Sequence, residues 1–190
     1  MNAWGERYER AMRCALRREA PDDGRASPGE RDLLALIQPT FHAPLAVELV
    51  DLGETHELAA ALIGEATSFA FEVASGRADA ALPPPPAWHR GQLWPRALVD
   101  LRSRLDALVA TDWPPLGQGR DGIGITLWLR DHRGPQRLDW STATHDPAGA
   151  PGALARALLT RAAEVAPALS APASAAWWYL WGQGAGCRVE

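Results

Sequence analysis

The sequence predicts an α+β fold in which a small antiparallel-rich sheet packs against helices. Three observations carry that prediction. Residues 122–142 read as a β-hairpin, residues 94–108 hold an apolar stripe at helical spacing, and residues 147–166 read as a second helix bounded by prolines. Hydrophobic residues are 47% of the 190-residue chain and charged residues 22%, which supports a sizeable core and argues against disorder.

Taken in order, residues 3–20 form an expected amphipathic helix. Trp4, Tyr8, Met12 and Ala15, with Leu16, lie on one side, and Glu6–Arg10 and Glu9–Arg13 are i,i+4 pairs in the favourable Glu-first order. The interleaved glutamates make the polar side a solvated face and not a basic membrane-binding one. Residues 21–30 are a loop by composition. A short helix is expected over 30–38, ended by Pro39. Residues 44–53 read as an apolar, β-branched strand with Glu48 as its one charge before Asp51. Alanine and leucine content favours a helix over 54–66, and the alternation of Phe69, Phe71 and Val73 with Ala70 and Glu72 favours a strand over 68–73.

Four prolines at 83–86 form a stiff polyproline II spacer of roughly 12 Å. They join an N-terminal part, 1–82, to a C-terminal part, 87–190, and neither part alone has a convincing core. The whole chain, 1–190, is therefore expected as one compact domain. Pro95 opens the next helix, about 95–110, where its missing N–H costs nothing, and Trp94, Leu98, Leu101, Leu105 and Leu108 follow in steps of four and three. In the helix over 147–166, Leu154, Leu158 and Val165 point inward and Pro167 is the stop. Residues 175–181 read as a strand by their aromatics, which would send Trp177 and Trp178 to opposite faces.

The hairpin carries Trp128 on one arm and Trp140 on the other, and its register decides where each goes. A three-residue loop would place Ile123, Ile125, Leu127 and Leu129 opposite Arg137, Asp139 and Ser141 and leave both faces half apolar. An even loop pairs Leu127 with Leu138 and Ile125 with Trp140, which collects the aliphatic residues on one face. Burial selects the even loop. Trp140 then belongs to the core, and Trp128 lies on the polar face directly across from Arg137, within reach of a cation–π contact.

A net charge of −4 argues against nonspecific nucleic-acid binding, and no apolar run approaches a membrane span. All 19 basic residues are arginine, which with the alanine, glycine and proline content suggests a GC-rich bacterial genome. Two cysteines, Cys14 and Cys187, make neither a disulfide framework nor a zinc site, so free thiols in a reducing cytoplasm are expected. The stretch THELAAALIGE begins like a zinc-protease helix but has Ala60 where the second histidine must stand. GQGRDGIG is glycine-rich but runs into a strand, so no helix N-terminus follows to hold a phosphate. No metal or other cofactor is expected.

Nine tryptophans among so many arginines point instead to an interface, because both residues are favoured binding anchors. The expected function is that of a non-enzymatic, cytoplasmic bacterial domain that binds another protein, of an accessory or toxin-neutralising kind. Trp128, Arg130 and Arg137 are its first candidate contacts, and Trp88, Trp177 and Trp178 its second. The alternative is a small enzyme or ligand-binding protein whose site is assembled from dispersed histidines and carboxylates, with His56, His89 and His145 as candidate bases.

Overall fold

The computed structural model describes residues 3–16, 32–39, 42–51, 56–77, 79–109, 122–131, 134–141 and 149–178. In chain order they form helix α1 (Ala3–Ala15), strands β1 (Asp32–Pro39), β2 (Leu45–Asp51) and β3 (His56–Leu62), and helix α2 (Gly64–Ala74). Then come β4 (His89–Gln92), α3 (Pro95–Val109), β5 (Ile123–Asp131), β6 (Gly134–Ser141), α4 (Ala150–Val165), a 3-10 turn at Pro167–Leu169, and α5 (Ser170–Trp178). All six of these strands make one sheet in the order β4-β3-β2-β1-β5-β6, and every pairing is antiparallel. The class is α+β, as the hairpin and the two long helices indicate. Strands from both sides of the proline run share the sheet: β4 pairs with β3, and β5 with β1.

Both faces of the sheet are covered. One face presents Leu33, Ala35 and Ile37 of β1, Leu45, Val47 and Leu49 of β2, Leu58 and Ala60 of β3, Ile123, Ile125 and Leu127 of β5, and Trp140 of β6. These residues bury against Leu98, Leu101, Leu105 and Leu108 of α3, Leu154, Leu158 and Leu159 of α4, and Ala173 and Ala176 of α5. The opposite face presents Leu36, Ala46, Ala61 and Trp128, and α1 and α2 lie over it through Ala11, Met12, Ala15, Ala66 and Ala70. The result is three layers: two helices, a sheet, three helices.

Covered faces explain where pattern reading goes astray. Of the helix expected over 30–38, residues 32–38 lie in strand β1, and of the helix expected over 54–66, residues 56–62 are β3 and 64–66 the start of α2; 30–31 and 54–55 lie outside the described residues. A strand buried on both faces is apolar at every position, so it loses the period-two signal. Alanines 59 to 61 raise helix propensity, but in β3 their small side chains let helices approach from both sides. The strand expected over 68–73 lies inside α2. There the stripe that matters is Ala66, Ala70 and Ala74, one per turn, all buried, while Phe71 projects outward. The strand expected over 175–181 is also overturned: α5 is helical to Trp178, with Ala173 and Ala176 buried at helical spacing, and 179–181 lie outside the described residues.

Elsewhere the expected elements stand with shifted ends. α1 stops at Ala15, β2 runs Leu45–Asp51, α3 ends at Val109, and α4 starts at Ala150. Trp94, counted in the inward stripe, is 81% exposed. It precedes the first residue of α3 and offers its carbonyl to the amides of Ala97 and Leu98, at 2.9 and 3.2 Å, so its side chain is not carried on the helix's buried face.

Candidate functional site

The hairpin has the even register. Ile125 pairs with Trp140, Leu127 with Leu138, and Trp128 with Arg137; Asp131 pairs with Gly134, which leaves two residues for the connection. Trp140 is buried among the aliphatic residues of the three-helix side. Trp128 faces the other way, onto the layer of α1 and α2, and is only 8% exposed.

What covers Trp128 is α1. The Arg13 guanidinium sits 5.4 Å from the indole ring centroid, so the helix supplies a cation to this ring. The indole N–H donates to Glu9 Oε1 at 3.0 Å. Arg13 Nη2 donates to the same oxygen at 2.6 Å, and Arg137 Nη1 donates to Glu9 Oε2. Arg137 also reaches Asp139 on its own strand, through Nε at 2.9 Å and Nη2 at 3.1 Å, and Thr126 Oγ1 donates to Asp139 Oδ1 at 2.7 Å. Glu9, 14% exposed at its side chain, therefore accepts from three groups at the seam between helix and sheet. Burial works to lower the Arg137 pKa, but the hydrogen bonds and charges of Asp139 and Glu9 outweigh it, and the net shift is upward. The guanidinium stays charged. The cluster clamps α1 down by electrostatics where most of that helix is held by apolar contact.

Toward its start α1 carries an aromatic group. Trp4 stacks on Tyr8 with ring centroids 5.2 Å apart and planes 14° from parallel, and it meets Phe71 of α2 edge-on at 6.0 Å. Trp4 is 40% exposed and Phe71 59%. Gln38 Nε2 donates to the Tyr8 hydroxyl at 2.7 Å, which fixes the inner ring of the stack from β1. Burial pushes the Tyr8 phenol above its usual value of 10.0, against the opposing hydrogen bonds of Gln38 and Thr67 and the charge of Arg137. Arg7, one turn along from Trp4, donates through Nε and Nη2 to the Ala74 carbonyl at 3.2 and 3.0 Å, tying α1 to the C-terminal end of α2.

The other sequence-predicted contacts are dispersed. Trp88 is half-buried against the α1–α2 layer, and Trp177 is half-buried against the opposite core. The side chains of Arg130 and Trp178 lie outside the described residues, as does His145. His56 and His89 share a face of the β3–β4 pair, but the register separates them by four positions, roughly 13 Å along the strands. They are not brought together as a pair of bases. Among the described residues, no group of three or more His, Cys, Asp or Glu could hold a metal ion, and no helix is long and apolar enough to cross a membrane.

Sequence reasoning missed Glu9 and Arg13 as partners of Trp128, and Asp139 as a partner of Arg137, although the Glu9–Arg13 spacing was visible. A solvated helix face and a helix face folded onto a polar sheet edge have the same sequence pattern. It also missed the Trp4–Phe71 contact, because Phe71 was placed on a strand. The architecture defines a three-layer α+β protein built on an antiparallel sheet. No family model matches the chain, and no curated protein or solved structure matches it.

Proposed function

We propose that this protein is a non-enzymatic binding domain whose partner is another protein, in an accessory or toxin-neutralising role in the bacterial cytoplasm. The observation that supports it is the Trp4–Tyr8–Phe71 cluster. Trp4 is held against the other two rings before any partner arrives, and Trp4 and Phe71 are well exposed. Aromatic side chains offer a large contact area for few rotatable bonds, so a prearranged set loses little entropy on binding. In this reading the tryptophan–arginine pairing around Trp128 acts indirectly. Trp128, Arg13 and Arg137 hold α1 in place, and α1 carries Trp4 outward.

The test is affinity purification from the source cells with the wild-type protein and with the Trp4→Ala/Phe71→Ala double variant. One partner should co-purify in fixed ratio with the wild type and be lost with the variant, while the melting temperatures stay within a few degrees of each other. Equal recovery of the same partner by both proteins would show that the cluster is not the contact surface.

A further inference from the structure

Residues 79–88 cross from α2 to β4 without helix or strand, and they include the four consecutive prolines. Exposure along this segment repeats every third residue. Ala80, Pro83 and Pro86 are half-buried; Ala81, Pro84 and Ala87 are exposed; Leu82 and Pro85 are exposed, and Trp88, next in that row, is half-buried in the α1–α2 layer. A period of three is that of a polyproline II helix; a strand would show two and an α-helix 3.6. One edge of the three-sided rod rests on the protein and two edges face out.

We infer that residues 81–87 are a docking ligand, a preformed polyproline II helix offered to an aromatic-lined groove on a partner protein that reads proline. Spanning the gap from α2 to β4 needs only a connection. It does not need a leucine 49% exposed beside two exposed prolines on neighbouring edges. A groove takes two edges of a rod and leaves the third, and the free edges here are Ala81–Pro84–Ala87 and Leu82–Pro85. Proline has no N–H, so a run of four offers carbonyls to outside donors such as a tryptophan indole or tyrosine hydroxyl lining the groove. No charged residue falls between Asp79 and Arg90, which suits an apolar groove. The prolines also restrict the unfolded chain, so the bound shape is already formed. This surface is separate from Trp4 and Phe71, and either reading can fail without the other.

The test titrates isotope-labelled proline-reading domains of three kinds, an SH3, a WW and an EVH1 domain, with the intact protein. Groove aromatic resonances of at least one domain should shift and saturate below about 1 mM protein. Pro84→Ala/Pro85→Ala should weaken that binding roughly tenfold or more, because it removes both outward prolines. The double variant should melt close to the wild type; if it does not, Pro85→Ala alone gives the same comparison. Trp4→Ala/Phe71→Ala should bind the reader domain as the wild type does. Absence of groove shifts with all three domains, or undiminished binding by the proline variants, overturns the inference.

Discussion

Replacing Glu9 with alanine should destabilise the protein by about 3 kcal/mol, and the structure lets that figure be built up. The carboxylate accepts from Arg137, Trp128 and Arg13. A hydrogen bond to a charged partner contributes about 1.5–3 kcal/mol, which is the Arg137 share. The indole N–H, on a ring only 8% exposed, would lose its acceptor, at about 1 kcal/mol. Arg13 is an i,i+4 partner with some solvent access, worth about 0.3–0.5 kcal/mol. The total stays at or below the roughly 3–5 kcal/mol of a broken buried pair, because Arg137 keeps two hydrogen bonds to Asp139. Alanine is at least as good a helix former as glutamate, so α1 is not weakened by propensity. For a chain of this size the melting temperature should fall by about 6–12 °C, read by far-UV circular dichroism, with a matching shift in urea midpoint. Amide exchange should quicken first in α1. A loss below about 1 kcal/mol, with α1 exchange unchanged, would show that Met12 and its apolar neighbours hold the helix alone and that the charged clamp is incidental.

Four further outcomes are expected. Trp140→Ala empties a site in the three-helix core and should cost about 3–5 kcal/mol by chemical denaturation. Gly91→Ala would set a Cβ 2.9 Å from Val165 Cγ1, against a stiff β-branched side chain, so it should cost about 1–3 kcal/mol; Val165→Ala in the same chain should recover most of that, and a strictly additive double variant would contradict the contact. Gly76 has φ +94°, and Gly76→Ala should lower stability by about 1–2 kcal/mol through backbone strain alone, since nothing lies near the added Cβ. Tyr8 keeps its proton more tightly folded than unfolded, so its stability contribution is whole below about pH 10 and drains away as pH climbs through the raised folded value. Guanidinium midpoints between pH 8.5 and 11 should therefore fall less steeply for Tyr8→Phe than for the wild type, and parallel curves would refute the assignment.

How much was legible in the sequence depended on how each element is buried. The hairpin could be read to the residue pair, because β6 alternates and only one register gathers Leu127, Leu138, Ile125 and Trp140 on one face. The stripe of α3 was legible for the same reason: one face is buried and the other is not. β1 and β3 were not, because helices cover both their faces and no polar side remains to give the period away. The Trp128 site was half legible. Its facing and its partner across the strand follow from register, which is a local property. Its cover by Glu9 and Arg13 is a contact between chain positions more than 100 residues apart, and no spacing rule connects them. Trp4 and Phe71 meet only because α1 and α2 lie side by side, which again no local pattern records.

The position of β1 also governs the order in which the protein can be made. It sits between β2, which follows it directly, and β5, whose Trp128 pairs with Leu34. A ribosome adding roughly 5–20 residues each second needs about 5 to 20 s to deliver β5 after β1. Through that interval the backbone of LLALI in β1 lacks the partner that β5 supplies along one side. An apolar edge of that kind is what other chains add to. Yield during synthesis should therefore depend on how fast β5 arrives, and slowed translation between β3 and β5 is where this protein is most exposed to aggregation.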